Sequence, residues 1–546
     1  MSGAYRRQDA VSRTAPLAGI NLFTSDPVLV ALVEAVPQTI ADDLVALGAF
    51  CGSAEAAELG RLANEYPPRL KTHDPDGSRI DMVEHHPAYH ALMRRFVGLG
   101  LHCSVWDAAG AEGGIRTAAR AARLFLAAQV EAGIASVLSM TNAGIAALAH
   151  GSQVAETWLP LIRSRRYDQG SRPAREKAGA LLSVAIAEKQ AGSDLNALTT
   201  MAMRGEDRVY RLAGHKWFVL APTSDALITL AQTVEGLSAF LVPRFLQDNS
   251  RNAVRLIRLK DKLGDRSVAT AEVELDGAGA FMLGPAGAGE TVIAEALMLA
   301  RLDSAVIAAA SMRLAVTEAI HYARQRRAFG GPLIERPLMA RVLADIALDA
   351  VAGQALAFRL AESFDKARDN PREAAFARLM TPVTKYWVTK VAPGLLAEAM
   401  ECFGGVGTVE DIRLPRLYRR APGQAIADGP GNVLSLEVMR VLRKSSDPLE
   451  AVLAASEESL GDAGRAQVNV VRATTAVALA DEGSARILTE QLALTVAAAT
   501  LRRFFPGMIA DAFIETRLGK EWRATYGMLS SRFDADAFLD YVLPRG

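Results

Sequence analysis

The sequence predicts an α+β protein of four consecutive regions: helical over 1–180, a β domain over 181–282, a helical bundle over 283–446 and a helical extension over 447–546. Three observations lead there. Apolar residues recur at three- and four-residue spacing through most of the first region. Between 181 and 282 the runs shorten, several alternate in polarity, and turn residues separate them. After Gly289 long helical patterns return, and half of the 546 residues are hydrophobic, enough for a sizeable core.

In chain order, Asp26 to Val36, Ala54 to Asn64 and Arg116 to Ala132 carry the helical period. Arg163 to Lys177 holds five arginines and a Gly-Ser-Arg-Pro turn, and reads as an exposed loop before the change of structure. Strand candidates are Asp225 to Ala231, Leu237 to Val242 and Ala269 to Leu275, with turns at Gly205-Glu206-Asp207 and Asp276-Gly277. Helices follow over roughly 290–325, 335–367, 372–403 and 431–444. Lys444-Ser445-Ser446-Asp447-Pro448 marks a boundary before an Ala-rich helical region.

Several function classes lose support at once. The 61 basic and 61 acidic side chains cancel, so no net charge points to nucleic acid, an anionic membrane or an acidic partner. Cys51, Cys103 and Cys402 are far apart, which fits a reducing cytoplasm rather than a disulfide scaffold, and Cys402 reads as core. The N-terminal MSGAYRRQDA lacks the apolar stretch of a signal peptide. The apolar run 491–500 ends at Arg502 and Arg503 and reads as a buried helix, so no membrane span is expected. His85-His86-Pro87-Ala88-Tyr89-His90 has metal-like spacing, but Pro87 is expected to interrupt a helix there and no second ligand cluster is near; no metal is expected. Gly284 to Gly289 is glycine-rich without GxGxxG spacing, and no NAD(P)H domain is expected.

The motifs narrow the reading. Ala187-Glu188-Lys189-Gln190-Ala191-Gly192-Ser193-Asp194 resembles the T-E-x-x-x-G-S-D signature of acyl-CoA dehydrogenases. Gly214-His215-Lys216-Trp217-Phe218 resembles their second flavin motif, Arg326-Arg327-Ala328-Phe329-Gly330 their R-x-x-F-G, and Gly404-Gly405-Val406-Gly407 their G-G-x-G. Leu59 to Asn64, Pro67-Pro68, His86-Pro87-Ala88, Lys260 to Gly264 and Leu414 to Arg419 resemble the alkylation-response, AidB-like branch. The resemblance implies the acyl-CoA dehydrogenase fold: a helical N-terminal domain, a central β-barrel, a helical bundle and an extra C-terminal helical domain. It also implies FAD, a CoA-thioester substrate and a homo-oligomer, commonly a tetramer. The cofactor-binding positions it carries over are Ile186, Ala187, Gly192, Ser193, Trp217, Phe218, Val219, Leu220, Arg326, Phe329, Gly404, Gly405, Ile426, Gly429 and Asn432.

Residue chemistry agrees with those roles. The Gly192-Ser193 turn can offer backbone donors to a flavin, and the Ser193 hydroxyl can bond a pyrophosphate oxygen. Trp217 and Phe218 can cover a flat ring by stacking. Arg326 can neutralise a pyrophosphate through two oxygens. Asn432 offers an amide after the Gly429-Pro430-Gly431 turn.

The reactive positions depart from the family pattern. Family members take the substrate's α-proton with a glutamate after the G-G-x-G segment, while hydride leaves for the flavin; here the matching residue is Asp428, preceded by Ala427 rather than an aromatic. The base position of a family subset, just before an arginine, is Ala300 before Arg301. The threonine opening the first motif is Ala187, and the Ser/Thr of the second aligns with Leu220. A carboxylate one methylene shorter is displaced by about 1.5 Å, and misplacement on that scale can cost about a hundredfold in rate. These changes resemble flavin oxygenases on the same fold, such as the flavoenzyme of tropodithietic acid biosynthesis. The expectation is an FAD-dependent enzyme whose reduced flavin meets O2 to oxygenate a CoA thioester, with room above the flavin for a cyclic acyl group. Its flavin would be reduced by the substrate or by a partner reductase. The alternative is plain α,β-dehydrogenation with Asp428 as base.

A second alternative is a DNA-binding flavoprotein. Residues 451–546 carry 10 basic and 12 acidic side chains, without the excess a phosphate surface needs. Arg440, Arg443 and Lys444 form the local cluster, better read as a helix end. DNA binding is therefore disfavoured.

Overall fold

The computed structural model describes residues 14–107, 114–205, 209–519 and 534–544. Asp26 opens the first helix, α1 (Pro27–Leu32), by accepting hydrogen bonds from the Val28 and Leu29 amides, as an N-cap does. Helices α2 (Gln38–Cys51) and α3 (Ala54–Glu65) follow, the second capped by Ser53. A hairpin of β1 (Arg69–His73) and β2 (Arg79–Glu84) then stands where the helical reading expected none. Its cause is legible afterwards: two short alternating runs flank Asp74-Pro75-Asp76-Gly77, and Gly77 takes the left-handed conformation the turn needs. Pro87 corrects another expectation. It does not interrupt a helix but begins one, α4 (Pro87–Gly98), where its missing N–H costs nothing and His86 supplies the cap.

The long helix α5 (Arg116–Leu148) was expected to end near Ala132. It kinks there instead, at Glu131 (φ −153°, ψ 96°), and continues as a buried helix. The Glu131 carboxylate accepts from the Gly133 amide at 3.0 Å and from Ser267 Oγ at 2.8 Å, which fills the gap in the helical ladder. Beyond the kink nearly every side of α5 is buried, so no amphipathic period marks it in the sequence. This helix is long and apolar enough to cross a membrane, but 89% of its apolar window is covered by protein. Helix α6 (Ser152–Ile162) leads into the β region.

Seven strands form the middle: β3 (Leu182–Ala185), β4 (Met201–Arg204), β5 (Tyr210–Leu220), β6 (Ala226–Thr233), β7 (Gly236–Pro243), β8 (Val254–Leu259) and β9 (Thr270–Leu283). The order β6-β4-β5-β9-β7 returns to β6, so the sheet closes into a barrel, with β3 on β6 and β8 on β9. Closure removes most of the free edge. Leu212, Val219, Phe240, Val242 and Val273 fill its interior. Of the expected turns, Asp276-Gly277 becomes a bulge inside β9 rather than an end, because β5 pairs with β9 on both sides of it; residues 206–208 of the other lie outside the described residues.

The bundle comprises α7 (Gly289–Gln325), α8 (Pro337–Lys366), α9 (Pro371–Glu401), α10 (Leu414–Ile426) and α11 (Gly431–Lys444). Helix α7 packs along α5, α8 and α9 and joins the first and third regions in one core. Helix α10 escaped the sequence reading because Pro415 and Pro422 fall within it; the first is tolerated at its start. Helices α12 (Asp447–Leu460), α13 (Asp462–Ala480), α14 (Ala485–Phe504), α15 (Gly507–Phe513) and α16 (Ala535–Val542) complete the chain. The apolar run 491–500 lies in α14 and is buried almost throughout against α8, α9 and α12.

Candidate active site

The first two motifs meet at the barrel surface. Glu188 follows β3 and Lys216 lies in β5; both side chains are fully buried and pair at 2.9 Å. The Glu188 carboxylate also accepts from Gln190 Nε2, from the amides of Thr199 and Thr200 and from both their hydroxyls. Burial would raise its pKa, but Lys216 and these donors hold it down, at about 2. Burial also pulls the Lys216 ammonium down while Glu188 opposes it. Six donors on one carboxylate favour the ionised pair. The pair fixes the loop carrying Ile186, Ala187, Gly192 and Ser193 beside Trp217, whose amide donates to Ala187 O at 2.8 Å. Sequence motifs alone did not single out Glu188 for this work.

The loop tip is open. A Cβ at Gly192 would touch nothing, Ser193 is exposed, and neither backbone amide is spent within the described chain. The indole of Trp217 is less bare than stacking would suggest: Lys260 Nζ lies 3.2 Å from its centroid and Lys189 Nζ 5.4 Å. Phe218 is exposed, edge-on to Trp217. Val219 is fully buried in the barrel interior, and Leu220 is half-buried with its carbonyl held by Ser183 Oγ at 2.5 Å. Ser183 is thus committed to backbone and does not replace the hydroxyl absent at Leu220.

Asp428 stands in the turn between α10 and α11, at φ +55°, followed by Gly429 at φ +110°. Ser304 Oγ of α7 donates to Asp428 Oδ2 at 2.7 Å, and Arg301 Nε donates to the Asp428 carbonyl at 3.0 Å while its other end pairs with Glu437. The second carboxylate oxygen, Oδ1, takes no hydrogen bond among the described residues. Ala300 lies one turn before Ser304 on the same face of α7, so the two positions where this family keeps its base converge here, and one is filled. Ile426 and Asn432 flank the turn and are exposed. A chain of contacts ties this turn to the barrel: Asp265, from the loop that carries Lys260, pairs with Arg420 at 2.5 Å, Arg420 bonds Gln424, and Gln424 bonds Ser304 O.

The remaining motif residues lie elsewhere. Arg326 ends α7, Phe329 is exposed at φ +53°, and Gly404 and Gly405 are exposed in the turn after α9. Tyr322 stacks on Phe403 at 4.3 Å and joins these two motifs into one group. Gly407 permits a close approach: an added Cβ would lie 2.0 Å from Met400 O. From Ser304 to Arg326 α7 runs unbroken, a span of roughly 33 Å at about 1.5 Å per residue. Asp428, packed against the middle of α7, and Arg326, at the C-terminal end of that helix, therefore belong to two separate groups of motif residues.

Comparison with known proteins gives the constellation a family. Residues 12–169 match the family described as the adaptive response protein AidB N-terminal domain, 183–278 the acyl-CoA dehydrogenase middle domain and 287–442 the acyl-CoA dehydrogenase C-terminal domain. The chain is 42% identical to AidB of Escherichia coli (strain K12), over 92% of this chain and 93% of that one. The chain belongs to the acyl-CoA dehydrogenase superfamily, in its AidB-like branch. Solved structures agree with this AidB-like fold: Caenorhabditis elegans ACDH-11 in complex with C11-CoA superposes with a TM-score of 0.81 at 26% identity, covering 98% of this chain and 92% of that one. The apo form of Bd2924 gives 0.82 at 26% identity, covering 90% and 99%.

Acyl-CoA dehydrogenases are FAD-dependent and act on acyl-CoA thioesters, and the residues of this AidB-like chain fit FAD. The Gly192-Ser193 amides and hydroxyl and the Arg326 guanidinium would meet its phosphates, and Phe218 offers aromatic surface. Other candidates fall away on their contacts. A cavity of about 490 Å³ between β2, α4 and the Ala221–Asp225 turn contains none of these groups. His85 there stacks on Tyr89 at 4.0 Å, and His90 bonds the Tyr167 hydroxyl, so both rings serve packing. Cys402 is buried, with its thiol pushed up to about 12 by that burial and by Glu398 and Glu401, which leaves no reactive thiolate. In the C-terminal region Arg443, Arg465, Arg472, Arg502, Arg503 and Arg517 each hold a carboxylate.

Proposed function

We propose that this chain is an FAD-dependent acyl-CoA dehydrogenase in which Asp428 removes the α-proton of the thioester. The observation that carries this reading is the Ser304–Asp428 contact. One carboxylate oxygen is fixed by the hydroxyl, the other is open, and the carboxylate faces the same side of α7 as the family's alternative base position. FAD, when bound, supplies the hydride acceptor. The aspartate is shorter than the family glutamate by about 1.5 Å, but its backbone is drawn toward α7 by Arg301. The acyl-CoA complex of the C. elegans relative supports the substrate class. Oxygenation of the substrate by O2, suggested by Ala187 and Leu220, is the competing outcome, and the likeness to AidB favours dehydrogenation over it.

The two motif groups suggest a homo-oligomer in which Arg326, Phe329, Gly404 and Gly405 of one copy complete the site around Asp428 of another. Mixing acyl-CoA thioesters with the FAD-loaded protein under anaerobic conditions tests the main reading. Flavin bleaching with 2-enoyl-CoA formation, abolished in Asp428→Asn, is expected. In a parallel reaction under ¹⁸O2, labelled oxygen in the product with no enoyl-CoA would sink it.

A further inference from the structure

Lys385 of α9 is fully buried and has no carboxylate within ion-pair distance among the described residues. Its Nζ donates to Ala425 O at 3.2 Å and to Gly429 O at 2.8 Å. Those two carbonyls bracket the turn that carries Asp428. Ala425 O is one of the last carbonyls of α10, which have no helical partner and lie at the negative end of the helix dipole. The turn itself is strained. Asp428 holds a left-handed backbone conformation, at φ +55°, that residues with a side chain adopt uncommonly. Such a conformation persists only where its surroundings over-determine it. Arg301 grips the turn from α7 through Asp428 O, and Lys385 grips it from α9 on either side of that residue.

A purely structural purpose would be met more cheaply. Removing an ammonium from water is costly, and a glycine in a C-terminal cap satisfies orphan carbonyls without a charge. Here burial, with Arg301 and the neighbouring Lys390, pulls the Lys385 ammonium down to about 8 against the attraction of Asp428. The charge is kept at a site where it is unfavourable, next to the one carboxylate that the reaction needs.

We propose that Lys385 is a positioning residue: by clamping Ala425 O and Gly429 O it locks the left-handed turn and aims the Asp428 carboxylate at the substrate. The inference rests on Asp428 being the base. It extends that reading to a side chain outside every motif, which touches neither substrate nor cofactor.

The test uses the full-length protein with Lys385→Met, which keeps volume but removes the donors, and Lys385→Gln, whose shorter side chain reaches one carbonyl. Amide hydrogen exchange of the apo protein reports the turn directly. Exchange across 425–432 should speed at least tenfold in Lys385→Met, with the barrel unchanged. In the FAD-loaded protein, acetoacetyl-CoA serves as probe, because removal of its acidic α-proton beside oxidised flavin gives a long-wavelength charge-transfer band. The rate of band formation should fall about a hundredfold in Lys385→Met, with probe affinity within about twofold of wild type, and about tenfold in Lys385→Gln. If Lys385→Met does not fold, the tenfold loss in Lys385→Gln carries the test. Unchanged exchange across the turn, or an unchanged rate of band formation in the folded variant, overturns the proposal. A band that forms normally in Asp428→Asn overturns the base assignment itself, a different failure.

Discussion

Glu188 and Lys216 form a fully buried ion pair that bolts the first flavin motif to the second, one partner following β3 and the other within β5. Its consequence is a pH-dependent hold on the loop that carries Gly192 and Ser193. Glu188 is held at about 2 in the fold against an ordinary value of 4.5. A carboxylate depressed on folding contributes fully above its unfolded value and loses that contribution as pH falls through the folded one. Thermal stability should therefore drop between about pH 4.5 and pH 2, and Glu188→Gln should flatten that part of the profile. At pH 7 the same substitution leaves Lys216 buried without its partner, at a cost of about 3–5 kcal/mol. Melting curves over a pH series check both, and a wild-type slope in the variant contradicts the assignment.

Ser304→Ala isolates the hydroxyl on Asp428. The fold should lose only about 1 kcal/mol, the worth of one hydrogen bond. The limiting rate of flavin reduction should fall by about tenfold or more, because the carboxylate gains a free torsion. Stopped-flow reduction with an acyl-CoA measures it, and a rate equal to wild type would show that the hydroxyl aims nothing.

Subunit complementation tests the shared site. Asp428→Asn and Arg326→Ala should each be inactive alone. If Asp428 of one copy works with Arg326 of another, mixed oligomers contain some sites free of both substitutions, and activity returns on co-refolding. If one chain supplied both residues, every site would carry a lesion and the mixture would stay inactive.

Gly407→Ala should be destabilising without touching any charged group. The added methyl meets Met400 O at 2.0 Å, so the turn after α9 must shift. A loss of about 1–3 kcal/mol is expected from overpacking, read as a lower denaturant midpoint. FAD affinity should fall with it, since Gly404 and Gly405 lie in the same turn. A variant as stable as wild type would show that the turn yields freely.

Long periodic elements were legible without coordinates. The helical pattern over 431–444 matches α11, Gly431–Lys444, and Gly289 begins α7 as its glycine-rich approach suggests. The hairpin at 69–84, the continuation of α5 past Glu131 and α10 were not legible, for three separate reasons. A short hairpin hides inside a helical neighbourhood, a helix buried on all sides has no period, and α10 carries two prolines.

The same division runs through the site. Which residues are chemically able is legible in the chain itself: a Gly-Ser turn, an arginine for phosphate, an aspartate where relatives hold glutamate, and alanine at the alternative base position. Those are properties of side-chain type and local spacing. What they do together depends on how the helices pack. Ser304 of α7 reaches Asp428 and Lys385 of α9 reaches the carbonyls on either side of it, from 124 and 43 positions away along the chain, because packed helices bring distant segments side by side. Likewise the unbroken length of α7 holds Arg326 far from Asp428, a separation that no motif spacing expresses, since distance in sequence and distance in a rigid rod are different quantities.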